Sequence, residues 1–202
     1  MEDTYKTIEK PSEGIFKDRG SKFYAFARPV TGEKEIKEII TALKKEHRSA
    51  RHHCYAWRLG AGEIRFRAND DGEPSSTAGK PILGQLQSFG VTNTLVVVVR
   101  YFGGTLLGTS GLINAYKTAA AEALKNANIV TKIIEQRLSI NFGYSTLSEV
   151  MDVIKQKNLN VVKTCFEENC SILLSVRNSE VQKITEIFSK IYGVKIDSPV
   201  SQ

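Results

Sequence analysis

The stretch Leu95–Gly111, LVVVVRYFGGTLLGTSG, constrains the fold more than any other part of this chain. Its β-branched run Val96–Val99 is apolar at every position and so has no polar face to turn toward water. An apolar run of this length bounded by turn residues predicts a strand buried on both faces, with other layers packed on each side of it. The run ends in Arg100 and Tyr101 and passes into a glycine-dense turn containing Gly103, Gly104, Gly108 and Gly111. Beyond it, Leu112–Leu124 has the apolar spacing and alanine content of a helix. A buried strand therefore delivers an arginine and open backbone N–H groups to the mouth of a helix. Helix N-termini carry unpaired donors and partial positive charge, so the ligand expected there is an anion. No reaction is legible in these residues.

The rest of the chain divides into two patterned units. Tyr5–Ile8 and Ile15–Lys17 read as short strands around a turn at Pro11–Gly14, and Lys22–Val30 as a third strand stopped by Pro29 and Gly32. Glu33–His47 carries the stripe Ile36, Ile39, Ile40 and Leu43 at helical spacing. His53–Leu59 and Glu63–Ala68 read as a hairpin across Gly60–Gly62. A polar loop, Asn69–Gly79, leads to a helix that Pro81 can start and Gly90 can end. After Asn128 the pattern restarts: strand Lys132–Phe142, helix Ser145–Lys157, strands Leu159–Phe166 and Ser171–Val176, helix Glu180–Tyr192 and strand Val194–Ile196. The order βαββαβ is that of ferredoxin-like domains. The expectation is an α+β chain of two domains, 1–128 and 131–202.

Several motifs in the first unit carry potential chemistry. Asn69–Ile82, NDDGEPSSTAGKPI, has glycines and a lysine reminiscent of the phosphate loop G-x-x-x-x-G-K-S/T. Six residues separate Gly72 from Gly79, however, and Pro81 stands where a magnesium-binding hydroxyl belongs. A looser role remains for Lys80, at a helix entrance, as a point charge facing a phosphate; the alternative is a solvated lysine on a capped helix. Asp70, Asp71 and Glu73 lack the alternating ligand pattern of a calcium loop and read more simply as a turn. His52 and His53 are neighbours on a strand, so they point to opposite faces and cannot share one site, while Cys54 reads as a small buried thiol. The glycine turn does not match G-x-G-x-x-G, and tight packing of strand on helix explains it equally well. Arg100 at the end of a buried strand needs a carboxylate, a carbonyl or a ligand anion, with Asp71 or Glu73 as possible internal partners.

The formal net charge is +6, and it is concentrated in the first unit: residues 1–130 carry 19 Lys and Arg against 14 Asp and Glu, the remainder 9 against 8. This bias favours anionic partners such as RNA. No apolar run approaches the roughly 20 residues of a membrane helix, and the polar start MEDTYKTIEK does not read as a secretory signal. Cys54, Cys165 and Cys170 are odd in number and include no CxxC pair, which predicts reduced thiols in a cytoplasmic protein without a structural metal.

Three stretches together, RHHCYAW (Arg51–Trp57), DDGEPSSTAGKPIL (Asp70–Leu83) and VVVVRYFGGTLLGTSGLINAY (Val96–Tyr116), strongly resemble the YigZ/IMPACT family. The resemblance implies a first domain of the ribosomal-protein-S5-domain-2-like βα fold, shared with domain IV of elongation factor G. It implies a ferredoxin-like second domain similar to that factor's domain V. Eukaryotic relatives regulate translation by competing for the activator of a starvation-responsive kinase; a bacterial two-domain member inherits only the connection to translation or the ribosome. Many relatives have glycine where this chain has Ser110 and a basic residue where it has Asn114. Lys117 lies three residues on, near the same helix face, and can restore that charge, while Ser110 can serve as an N-cap.

The leading expectation is a non-enzymatic, translation-associated protein that binds RNA, the ribosome or another phosphate-rich surface. Its expected contacts are Lys80, Arg100, the Gly103 and Gly104 amides, Lys117 and, when protonated, His53. A second reading has the same loops hold a protein partner. A third is an enzyme on a phosphorylated or nucleotide substrate using the loop residues Asp71, Glu73, Ser75, Ser76 and Thr77, although no nucleophile–base–orienter set is visible. No cofactor is expected.

Overall fold

In a computed structural model that describes residues 3–167 and 169–200, the chain forms two compact units, Tyr5–Lys132 and a second comprising Ile133 onward together with the first few residues. The first unit is built on five antiparallel strands: β2 (Ser12–Asp18), β3 (Ser21–Pro29), β4 (His52–Leu59), β5 (Arg65–Asn69) and β6 (Thr94–Tyr101), in the order β2-β3-β6-β4-β5. The valine run is β6, the central strand, and every residue from Thr94 to Arg100 is buried. Its side chains alternate between two separate cores. Val96 and Val98 pack with Ile82, Leu86, Ala119 and Ala120 of α2 (Gly79–Ser88) and α3 (Gly108–Lys125), whereas Leu95, Val97 and Val99 pack with Ile36 and Leu43 of α1 (Glu33–Glu46). Each such buried aliphatic side chain contributes roughly 1.5–3 kcal/mol relative to exposure. A strand covered on both faces needs no polar alternation, which is why the run reads as it does.

Alanines on α3 let that helix lie close to the sheet. Ala115, Ala119, Ala120 and Ala123 are fully buried, and a β-carbon on Gly14 of β2 would stand 2.4 Å from the Ala123 nitrogen. The Ser12 hydroxyl donates to the Ala123 carbonyl at 2.8 Å and pins the same contact.

Three local expectations are corrected. β1 (Thr4–Ile8) does not turn back onto the next strand; it pairs with β7 (Ile129–Ile133) in a separate two-stranded sheet, and β2 begins already at Ser12, within the expected turn. The long strand expected over 132–142 breaks at Ile134 into β7 and β8 (Glu135–Gly143), because the two halves serve different sheets. Helix α3 starts at Gly108, so Ser110 lies inside its first turn and is not the N-cap.

The second unit continues with α4 (Leu147–Gln156), β9 (Asn160–Phe166), β10 (Asn169–Arg177), α5 (Val181–Ser189) and β11 (Lys195–Val200). Its antiparallel sheet has the order β11-β8-β10-β9, the ferredoxin-like arrangement. Leu138, Ile140, Ile172 and Leu174 of the sheet meet Val150, Ile184 and Phe188 of the helices in one core. Near the chain start, Asp3 joins this unit: its carbonyl accepts from the Ile134 N–H at 2.8 Å, and its carboxylate accepts from Ser179.

Candidate functional site

The loop between β5 and α2 is organised by its own acids. Asp70 accepts backbone N–H bonds from Ser76 (2.9 Å), Ala78 (3.1 Å) and Gly79 (2.8 Å). Burial works to raise this carboxyl, but the three amides and nearby Lys80 outweigh it and hold it below the ordinary aspartate range. The amides that a phosphate would use at the start of α2 are thus already occupied by a carboxylate. Lys80 is exposed beside that carboxylate, so the phosphate contact expected of it lacks its helix amides. Asp71 takes a left-handed conformation (φ 42°), as do Gly72 (φ 88°) and Ser76 (φ 66°). This turn lets the Asp71 carboxylate accept from Lys44 Nζ at 2.9 Å and from the His53 N–H at 2.7 Å. Thr77 donates its hydroxyl to the Pro74 carbonyl, whereas Ser75 is exposed.

Glu73 turns inward instead. Its Oε1 accepts from Arg100 Nη1 at 2.6 Å and from the Tyr116 hydroxyl at 2.7 Å, with both members of the ion pair almost wholly buried. The Arg100 guanidinium also lies over the rings of Phe23 and Phe102, at 5.5 and 5.7 Å from their centroids. Of the two internal partners considered for Arg100, the fold selects Glu73. Its Nε remains buried without an acceptor among the described residues. Next to this group Cys54 is fully buried, donates to the Asp70 carbonyl at 3.0 Å, and burial pushes its thiol well above the usual range. Burial likewise pushes the Tyr116 hydroxyl up.

Beside the ion pair opens a cleft of about 470 Å³. Its polar lining includes Arg51, His52, Glu73 and Arg100; the register of β4 against β6 sets His52 directly opposite Arg100. Its apolar lining is Pro74, Phe102, Leu106, Leu107 and Leu112. Gly108 and Thr109 of the first turn of α3 also line it, and no side chain among the described residues caps the start of that helix. An uncapped helix start, an exposed Arg51 and the Arg100 of the buried pair therefore line one hollow.

The sequence-derived contacts are only partly assembled here. Arg100 and Glu73 line the cleft, but Lys80, Gly103, Gly104 and Lys117 do not. The Gly103 N–H donates to the Ser21 hydroxyl at 3.1 Å, so it is not open to a ligand, and its lack of a side chain serves packing: a β-carbon there would fall 2.0 Å from the Gly20 carbonyl carbon. Gly104 is exposed with a positive φ. Lys117 is exposed, about 13 Å along α3 from its start at ~1.5 Å per residue. The expected protonation of His53 is also corrected. The ring is buried, and desolvation lowers its pKa despite the opposing pull of Asp71. Sequence reasoning missed Arg51 and Phe102, and passed over His52; all three lie within the signature stretches, and the pairing of β4 with β6 brings their strand ends together. Among the described residues no cluster of His, Cys, Asp and Glu could hold a metal ion, and no helix is long and apolar enough to cross a membrane.

Residues 19–124 match the Impact N-terminal domain. The chain belongs to the IMPACT family. It is 30% identical over 194 residues to the IMPACT family member YvyE of Bacillus subtilis, covering 96% of this chain and 89% of the relative. It is 33% identical over 173 residues to the IMPACT family member YigZ of Escherichia coli, covering 85% and 83%. A solved structure described as that of a hypothetical protein superposes with a TM-score of 0.72 at 26% identity over 97% of both chains. The human protein IMPACT matches a shorter part, 96 residues at 36% identity, which is 45% of this chain and 29% of that protein. The IMPACT domain match runs from the turn before β3 through most of α3, so it contains the acid loop, the buried pair and the cleft, and ends before the ferredoxin-like unit.

Proposed function

We propose that this protein is a cytoplasmic, translation-associated regulator whose N-terminal domain binds RNA, on the ribosome or free, through the cleft at the start of α3. The observation that carries this reading is the convergence there of Arg51, Arg100 and an uncapped helix terminus. Each favours an oxyanion, and backbone phosphates are the anions that a basic protein of this kind meets in bulk. The link to translation rests on membership of a family whose eukaryotic members regulate it, and the net charge of +6 adds a long-range attraction. Binding of this kind weakens steeply with salt because counterions are released from the phosphates. The test is co-sedimentation with ribosomes from the protein's own extract at low and high salt, with nuclease controls. Salt-sensitive pelleting that Arg51→Glu reduces, with thermal melting unchanged, supports the reading. Absence of pelleting at low salt refutes it, and association that survives nuclease points to a protein partner instead.

A further inference from the structure

The chemistry of the cleft narrows the kind of RNA it accepts. Glu73 neutralises Arg100 at 2.6 Å, so the charge left for a ligand is that of Arg51 plus the half-charge, about +0.5, of a helix N-terminus. That amount suits one singly charged phosphodiester; a row of duplex phosphates would need a broader basic track. The remaining wall is apolar, and two of its members stand unusually open: Phe102 is 52% exposed and Leu106 82% exposed. One face of Phe102 is turned to the Arg100 guanidinium, which leaves the rest of the ring open to a planar partner. A base locked in a duplex cannot reach such a recess, whereas an unpaired base can stack on an aromatic ring. The volume of about 470 Å³ falls within the small-ligand range and matches one nucleotide better than several.

On the RNA reading of this cleft, we propose that it captures a single unpaired nucleotide of a single-stranded RNA. The phosphodiester sits against Arg51 and the first turn of α3, and the base lies on Phe102 beside Leu106 and Leu112. Arg100 has a positioning role as well: held by Glu73, which the Tyr116 hydroxyl anchors in turn, it backs the Phe102 ring on which the base stacks.

The experiment is fluorescence anisotropy with the full-length protein, using a labelled ten-residue oligouridine and a labelled RNA duplex of equal length, at two salt concentrations. Single-stranded RNA is expected to bind at least about tenfold tighter than duplex. Phe102→Ala should weaken it roughly 5- to 150-fold, the measured span for loss of one stacking aromatic, while Phe102→Tyr retains binding. Leu106→Ser, at a position too exposed to affect folding, should weaken single-strand binding and leave duplex binding unchanged. Arg51→Ala should reduce the salt slope by about one phosphate contact. Equal affinity for duplex, or Phe102→Ala and Leu106→Ser both without effect, overturns nucleotide capture while leaving RNA binding standing. Failure to bind either RNA, with nuclease-resistant association in extract, overturns both and makes the cleft a protein-docking surface.

Discussion

The buried Arg100–Glu73 pair should behave as a coupled unit, and a double-mutant cycle measures this directly. The two side chains are 7% and 4% exposed, and the bond between them is 2.6 Å long. Removing one partner strands the other as an uncompensated buried charge, which costs about 3–5 kcal/mol. Glu73→Met and Arg100→Met should each lose that much. The double variant should lose less than either, roughly 1–3 kcal/mol, because its remaining defect is the Tyr116 hydroxyl without its acceptor. The assay is urea unfolding followed by fluorescence of Trp57, the single tryptophan, which lies in the core of the first unit and so reports on that unit. With a slope of about 2 kcal/mol per molar, each single variant should lower the midpoint by about 1.5–2.5 M. Tyr116→Phe calibrates the series, since it removes one hydrogen bond to a charged acceptor and should cost about 1.5–3 kcal/mol. If the two single losses simply add in the double variant, the pair is not coupled and the electrostatic account of the site is wrong.

Two further outcomes follow from the loops around this pair. Burial lowers the pKa of His53 below the unfolded value of 6.5, so the unfolded chain binds the extra proton first as pH falls. The stability contributed by neutral His53 is complete above pH 6.5 and is lost as pH drops through its folded value; His53→Gln should flatten that decline in urea midpoints measured between pH 7.5 and 5.5, and an unchanged decline refutes it. Gly103→Ala should cost about 3 kcal/mol, since the new β-carbon meets Gly20 and Ser21 backbone at 2.0 and 2.1 Å, whereas Gly104→Ala meets nothing within 4 Å and costs only about 1–2 kcal/mol of left-handed backbone strain. Thermal melts of the two variants rank these costs, and a larger loss at Gly104 would contradict close approach as the reason for Gly103.

The division between sequence and tertiary structure follows the range over which each type of information acts. Val96–Val99 could only be a strand covered on both faces, because an unbroken apolar run has no side to offer water; β6 has that position. The Ile36–Leu43 stripe similarly dictated a helix with one buried face, and the alternation after Asn128 dictated βαββαβ, because periods of 3.6 and 2.0 are local properties of the chain. Partners at a distance are not written in any period. Asp71 and Glu73 were equivalent candidates for Arg100 in the sequence. The left-handed turn at Asp71 and Gly72 sends the first toward Lys44 and His53, and the second into the core with Tyr116. Ser110 read as a cap until the helix began at Gly108, and Gly103 read as an open amide until the Gly20–Ser21 turn closed on it. The cleft itself depends on the register of β4 against β6, which brings His52 opposite Arg100 across 48 residues of chain. Local chemistry determined the elements and their buried faces. Only long-range packing decided which charges were neutralised and which side chains line the cleft.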